Sequence, residues 1–171
     1  AVTTDLDALL LRIAQAACAI LGCERASIFL HDAPRNELVT RVALLAKEIR
    51  IPDSAGIAGH AFQQNLLLHV PRPYEDARFN SAPDRQTGFI TRNLLTIPMS
   101  NVDHKPIGVL QAINKRDGDF AAEDKGLIQL VADQAGVAIQ RYRLQMAAVE
   151  AVAMRREMDL ARQVQQALIP K

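Results

Sequence analysis

The sequence has almost no net charge, and its basic residues are spread along the chain rather than clustered. Its 171 residues contain 20 Lys and Arg against 19 Asp and Glu, which gives a formal net charge of +1. Such a balance provides no bulk attraction to nucleic acid or to acidic lipid. We therefore expect neither nucleic acid nor a membrane among the partners of this chain.

Long apolar runs are also missing. Unbroken apolar runs, such as residues 66–68, are far shorter than the roughly 20 residues that a helix needs to span a bilayer. No signal-peptide pattern opens the sequence, so we expect a soluble, cytoplasmic protein. The sequence begins at Ala1 rather than at methionine and ends at Lys171 just after a proline, which is typical of a piece of a longer protein.

Cysteine and histidine lack the spacing of metal ligands. Cys18 lies in an apolar helical pattern and Cys23 just after it, so we expect two reduced, buried thiols. The four histidines are isolated from one another, at positions 31, 60, 69 and 104. We predict no metal site, because metal ligands recur at characteristic short spacings.

What is present is a series of strand patterns with a helix at each end. Apolar residues recur at helical spacing from Leu6 to Leu21 and again from Leu127 to Tyr142. Between them, strands are predicted at residues 27–32, 38–43, 49–51, 66–70, 93–99 and 107–113, and a short helix at residues 57–64. Polar turn material is predicted from Asn114 to Asp119. Consecutive strands joined by turns favour an α+β domain built on an antiparallel sheet.

A long irregular segment, PRPYEDARFNSAPDRQTGF, occupies residues 71–89. Ser81, Pro83 and Asp84 are spaced as an N-cap, a first-turn proline and a capping-box acid, so one short helix is predicted here. Long loops inside compact domains are more often functional than idle. Arginines at positions 72, 78, 85 and 92 would either gather an anionic ligand or form a solvated rim.

Two segments of the chain match a known family. Residues 56–99, GIAGHAFQQNLLLHVPRPYEDARFNSAPDRQTGFITRNLLTIPM, and residues 107–115, IGVLQAINK, closely resemble GAF domains, particularly those of cyclic-nucleotide phosphodiesterases and cyclases. The resemblance implies a GAF-like, PAS/profilin-like central antiparallel sheet of about six strands flanked by helices. It also implies a small-molecule pocket on the sheet face under the long loop.

The resemblance further implies which residues line that pocket. In nucleotide-binding relatives the ligand lies against the first strand, the helix after the GIAG turn and the short helix of the loop. The matching positions are Ser27, Ile57, Ala58, Asn80, Asp84, Thr87, Thr91 and Gln111. Hydroxyls, amides and a helix N-terminus suit a polar ligand, but the set contains no nucleophile paired with a base. We therefore predict binding, with no catalytic residue and no certain cofactor.

Two positions depart from the nucleotide-binding pattern. Ala43 and Leu44 stand where such relatives carry a purine-stacking aromatic residue and an acid that reads the base edge. The lost stacking is worth about 0.5–1.5 kcal/mol and the lost hydrogen bond about 1 kcal/mol. A cyclic nucleotide is therefore a doubtful ligand, and a smaller or more apolar molecule fits these residues better.

Asn114, Lys115, Phe120 and Asp124 reproduce most of the family's Asn-Lys-Phe-Asp-Glu signature, with Lys125 in place of the final glutamate. We interpret these four residues as a structural clasp, in which a turn cap and a Lys115–Asp124 contact fasten a strand end to a helix start. Ala121 occupies the usual N-cap position of that helix and cannot cap it, so Asp119 or Asp124 is expected to substitute.

The helical pattern continues without glycine or proline from Tyr142 to Ile169. Heptad steps join residues 135, 138, 142, 145, 149 and 152, then reach Arg156 and Asp159, whereas residues 160, 164 and 167 follow a shifted register. We predict a parallel coiled-coil homodimer. Residues 1–143 would form the sensor domain and residues 144–171 a signalling helix.

The last helical segment, EMDLARQVQQALIP at residues 157–170, resembles the linker that precedes the catalytic domain in bacterial metal-dependent serine/threonine phosphatases of the stress-response and sporulation type. That resemblance implies a longer bacterial protein whose phosphatase domain this sensor controls, with the metal-binding aspartates past Lys171. The alternative is a ligand-free dimerisation or protein-interaction module, with a pocket filled by side chains such as Leu44.

Overall fold

A single six-stranded sheet organises the fold. The computed structural model describes residues 5–42 and 48–169. The strands are β1 (Cys23–Asp32), β2 (Glu37–Val42), β3 (Arg50–Pro52), β4 (Leu68–Val70), β5 (Leu94–Ser100) and β6 (Pro106–Lys115). They pair in the order β3-β2-β1-β6-β5-β4, and each pairing is antiparallel. The predicted α+β class and its antiparallel sheet are confirmed.

The helices are α1 (Asp5–Leu21), α2 (Gly56–Gln64), α3 (Ala82–Thr87) and α4 (Ala122–Leu168), with short 3-10 turns at Ala33–Arg35 and Pro73–Glu75. Gly22 ends α1 in the left-handed region, with φ of +63°. Ala43 and Leu44, which depart from the nucleotide-binding pattern, lie outside the described residues. Among the described residues, no helix is long and apolar enough to cross a membrane.

The two faces of the sheet follow from the alternation of β1 and β6. Phe29 stands opposite Val109, and both pack against Ala58 and Ala61 of α2. Ile28 and Leu110 pair one step along, so their side chains lie on the other face. Both are fully buried, and α1 lies against β1, β2 and β6. The sheet is therefore covered on both faces.

Four local predictions are wrong. The strand predicted at residues 27–32 already begins at Cys23. The strand predicted at residues 66–70 begins only at Leu68. Ser81 flanks α3 but makes no capping hydrogen bond; the Asn80 side chain accepts from the Ala82 N–H instead, at 3.1 Å. Asn114 and Lys115 belong to β6 rather than to a turn, because Lys115 still pairs with Cys23 across the ladder.

The chain divides into two units, residues 1–137 and 138–171. The second unit consists of the rest of α4, whose side chains are exposed from position 143 onward as far as residue 169. The proposed boundary at 143/144 stays a prediction. Both cysteines are free thiols, Cys23 buried and Cys18 only partly so.

Candidate functional site

A row of polar side chains crosses the centre of the sheet on the face that α2 covers. Gln111 of β6 stands opposite Ser27 of β1 on one side and Thr96 of β5 on the other. The Gln111 carboxamide donates to the Thr96 hydroxyl at 3.1 Å, and Thr96 is fully buried. Buried polar groups are costly unless they are hydrogen-bonded, and the Ser27 hydroxyl has no hydrogen-bond partner among the described residues, so this row offers a place for polar recognition.

The N-terminal turn of α2 covers the sheet beside this row. Ile57 packs with Leu94 of β5 and, at its edge, Ile113 of β6, whereas Ala58 packs with Val109 of β6. Both α2 residues are almost completely buried, with exposures of 3% and 4%. The structure thus brings four predicted site residues, Ser27, Gln111, Ile57 and Ala58, to one face of the sheet.

The other predicted site residues lie in the long loop, where they hydrogen-bond locally. The Asp84 carboxylate accepts from the Tyr74 hydroxyl at 2.6 Å, and from the Thr91 amide at 3.0 Å and hydroxyl at 2.6 Å. The hydrogen bond to Asp84 raises the pKa of Tyr74. Thr87 donates to the Pro83 carbonyl at 2.9 Å. Asp84 therefore ties both ends of the loop together across α3.

Arg25 and Phe89 connect this loop to the sheet, and sequence reasoning missed both. Arg25 stands opposite Ile113 on β1, two residues before Ser27 and so on the same face. Its guanidinium carbon lies 3.8 Å from the centroid of the Phe89 ring, which follows α3. Strand alternation could have placed Arg25 beside Ser27, but no local pattern predicts its contact with the loop.

Asn114 joins the end of β6 to the loop and to β1. It is fully buried with φ of +61°, and its side-chain oxygen accepts from the Arg92 amide at 2.6 Å. Its NH₂ group donates to the Ile90 carbonyl at 2.8 Å and to Glu24 at 3.1 Å. Hydrogen bonds from Asn114 and Arg92 lower the pKa of Glu24. This one amide thus holds the segment that follows Phe89.

Lys115 and Asp124 connect the same strand end to α4. The Lys115 ammonium lies 3.0 Å from the Asp124 carboxylate and also donates to the Leu21 carbonyl at the end of α1. The other Asp124 oxygen accepts from the Ala121 amide at 2.8 Å, and so caps the helix that Ala121 cannot cap. Phe120 is buried against His69, and its amide donates to Asp119 at 2.7 Å.

The arginines of the loop region differ in their partners. The Arg78 guanidinium donates two hydrogen bonds to the Asp76 carboxylate, one to each oxygen, at 2.8 and 3.0 Å. These hydrogen bonds lower the pKa of Asp76 to about 2. Arg92 pairs with Glu24 at 3.0 Å and Arg72 with Glu75 at 3.6 Å, whereas Arg85 makes no ion pair with any described residue. A cleft of about 310 Å³ lies between Arg72, Pro73, Tyr74, Glu75, Ile90, Thr91 and Arg92.

Known proteins resemble the chain in sequence. It is 30% identical over 154 residues to the probable 3′,5′-cyclic phosphodiesterase pde-5 of Caenorhabditis elegans, covering 82% of this chain and 21% of that protein. It is 30% identical over 173 residues to the dual 3′,5′-cyclic-AMP and -GMP phosphodiesterase 11A of Takifugu rubripes, covering 92% of this chain and 18% of that protein. The chain spans about a fifth of the length of these curated relatives.

Solved structures share the fold. The GAF domain of a phosphoenolpyruvate-protein phosphotransferase from Coxiella burnetii superposes with a TM-score of 0.70 at 18% identity, over 83% of this chain and 86% of that one. The second GAF domain of DevS from Mycobacterium smegmatis superposes with a TM-score of 0.65 at 22% sequence identity, over 84% of this chain and 99% of that one. The GAF domain family model matches residues 5–139. The chain belongs to the GAF domain family, whose members are small-molecule-sensing regulatory modules of signalling proteins.

Proposed function

We propose that this chain senses a small molecule held between the Ser27–Gln111–Thr96 row and the long loop, and transmits its presence to α4. The main support for this proposal is a hydrogen bond from the Asn114 side chain to the Ile90 carbonyl, just after the loop. Asn114 directly precedes Lys115. Lys115 in turn contacts Asp124 in the first turn of α4. A ligand that moves the loop therefore acts on the helix start through adjacent residues.

Differential affinity supplies the energy for such a switch. A ligand shifts an equilibrium only as far as its affinities for the two conformations differ. Asn114 accepts a hydrogen bond from the loop, and the next residue, Lys115, donates one to Asp124 at the start of α4. A displacement of the loop that shifts Asn114 would therefore also weaken the hydrogen bond at the start of α4. The pocket is expected to bind a ligand without catalysing a reaction.

Ligand binding is tested directly on the purified chain. Native mass spectrometry is expected to find a co-purified small molecule, and a thermal-shift screen that includes cyclic nucleotides would identify ligands that raise the melting temperature. Ser27→Ala is expected to weaken binding about three- to tenfold through loss of one hydrogen bond. Gln129→Ala, on the exposed side of α4, is the matched control. Unchanged affinity in the Ser27 variant overturns the pocket assignment.

We infer that the signal leaves through a parallel homodimer. Val149 and Val152 on the heptad seam are 58% and 53% exposed, and a coiled coil buries such a stripe. Val152→Glu is expected to dissociate the dimer in sedimentation equilibrium. Met154→Glu places the same charge on a residue that is 63% exposed but off the seam, and should leave the dimer intact. If the two substitutions dissociate the dimer equally, the predicted heptad seam is wrong.

The output domain is inferred from residues 157–170, whose pattern resembles the linker of bacterial metal-dependent serine/threonine phosphatases. The longer protein that contains this chain is expected to hydrolyse a phosphoserine peptide with Mn²⁺, at a rate that the sensor's ligand changes. Hydrolysis of a cyclic nucleotide in the same assay, with no action on the peptide, would contradict a phosphatase output and match the named relatives.

A ligand-free dimerisation module is the second candidate. The local hydrogen bonding of Asp84, Thr87 and Thr91 favours it, because a loop whose polar groups already have partners does not need a ligand to be ordered. Absence of any bound molecule in native mass spectrometry, together with a dimer that survives Ser27→Ala and Gln111→Leu, would establish this alternative.

A further inference from the structure

Arg25 is a cation on the pocket face of β1 that has no anionic partner in the part of the chain that the structure describes. It is half-buried, and the centroid of the Phe89 ring lies 3.8 Å from its guanidinium carbon. By contrast, Arg78 and Arg92 of the same region both hold carboxylates. A half-buried, unpaired guanidinium has charge available for a bound molecule.

The N–H donors of Arg25 are unused. Its guanidinium carbon lies over the Phe89 ring, and a guanidinium carries its N–H donors in its own plane, pointing away from its carbon. No hydrogen bond joins the Arg25 side chain to a described residue. Phe89 therefore orients a fork of donors that suits a carboxylate or phosphate in bidentate geometry.

Two other polar groups on the same face have spare hydrogen-bonding capacity. Ser27 follows Arg25 at a spacing of about 7 Å along the strand. Its hydroxyl has no hydrogen-bond partner among the described residues, and the Gln111 carboxamide uses only its NH₂ group, toward Thr96. A cation, a hydroxyl and an amide oxygen thus share one half-buried face, with Ile57 and Ala58 of α2 as apolar cover.

We propose that the ligand of this pocket is a small organic anion whose negative charge is received by Arg25, with Phe89 holding the guanidinium in place. The inference rests on the proposed function, because it names the chemical class of that pocket's ligand. It also gives the ligand a route to the output: Phe89 precedes Ile90, whose carbonyl is held by Asn114.

The test compares anionic probes with neutral molecules of similar shape, using calorimetry at fixed ionic strength on the complete chain. Cyclic GMP is paired with guanosine and benzoate with benzamide, so that the two arms separate a phosphate from a carboxylate. Arg25→Gln is expected to weaken the anionic probe about ten- to a hundredfold and to leave its neutral counterpart unchanged. Arg12→Gln removes the same charge from an exposed position of α1, which packs on the other face of the sheet, and should change neither affinity.

Each outcome decides between the two proposals. Equal binding of a neutral and an anionic probe, insensitive to Arg25→Gln, overturns the anion inference and leaves the sensor proposal standing. No binding of any probe, no protection of the wild-type melting temperature by inorganic phosphate or formate, and no co-purified molecule in native mass spectrometry together overturn both. If circular dichroism shows that Arg25→Gln is unfolded, Arg25→Lys decides. It keeps the charge without the planar fork, so the anionic probe should bind more weakly than to the wild type but still more tightly than its neutral counterpart, and equal binding of the two probes contradicts the proposed role of Arg25.

Discussion

The Nζ atom of Lys115 lies 3.0 Å from a carboxylate oxygen of Asp124, and the Asp124 side chain is only 3% exposed. This ion pair joins the end of β6 to the first turn of α4. Lys115→Met is expected to destabilise the fold by about 2 kcal/mol, less than for a fully buried pair because Lys115 is 22% exposed. Urea unfolding measures the loss.

Lys125→Met is the matched control for Lys115→Met, because Lys125 carries the same charge and is exposed. It directly follows Asp124 in the first turn of α4. Its free energy of unfolding should stay within about 0.5 kcal/mol of the wild-type value. Equal losses for the two substitutions would mean that Lys115 contributes only a general surface charge, and the coupling role of the contact would then be wrong.

Asn114 is expected to be more sensitive than any other left-handed asparagine in the described residues. Asn114→Gly keeps a backbone that tolerates φ of +61° but removes side-chain hydrogen bonds to Arg92, Ile90 and Glu24. The loss should reach about 3 kcal/mol, because the Arg92 and Ile90 backbone groups lose their partner. Thermal and urea unfolding both report it.

Asn36→Gly separates the backbone effect from the hydrogen bonds. Asn36 also has a positive φ, of 53°, but it is exposed and its side chain bonds no described residue. Its substitution should change the free energy of unfolding by less than about 0.5 kcal/mol. If both glycine variants lose the same stability, the Asn114 side chain is not what holds the loop.

Much of the fold follows from local sequence periods. β1 is predictable because apolar and polar residues alternate there, and β6 because it contains an apolar, β-branched run. α1 and α4 are predictable because apolar residues recur at helical spacing. The cap of α3 is predicted at Ser81, but Ser81 has a helical backbone conformation and makes no capping hydrogen bond, whereas the Asn80 side chain accepts from the Ala82 amide. Spacing alone does not decide between two neighbouring polar side chains of this kind.

The site is harder to predict than the fold because its contacts join distant residues. Ser27 and Gln111 share a face by strand alternation once the β1–β6 register is known. The Tyr74–Asp84 hydrogen bond and the Arg25–Phe89 contact depend on how the long loop folds back, and no periodicity describes such a loop.

Acid is expected to weaken the loop through Asp76. Hydrogen bonds from the Arg78 side chain and amide lower its pKa from 3.8 to about 2. Because the native pKa is the lower one, this stabilisation is complete above pH 3.8 and is lost as pH falls towards 2. Asp76→Asn should therefore cost about 1 kcal/mol at neutral pH and progressively less in acid, as measured by urea unfolding across pH.

Asp103→Asn provides the reference for that pH series, since Asp103 is exposed and makes no ion pair with a described residue. Its cost at neutral pH should stay within about 0.5 kcal/mol. A cost of Asp76→Asn that is constant with pH would show that the carboxylate charge contributes nothing and that only the shape of the turn matters.

Two glycines on α4 should respond to alanine in opposite directions. A Cβ atom at Gly136 would lie 2.0 Å from the Ser100 carbonyl oxygen, in the backbone of β5, whereas at Gly126 nothing lies within 4 Å. Gly136→Ala must separate the helix from the strand and is expected to cost about 2–3 kcal/mol. Gly126→Ala removes only backbone freedom and should stabilise the helix by about 0.5–1 kcal/mol. Urea unfolding of the pair decides the matter: if Gly136→Ala is as stable as Gly126→Ala, α4 does not contact β5 as closely as the structure has it.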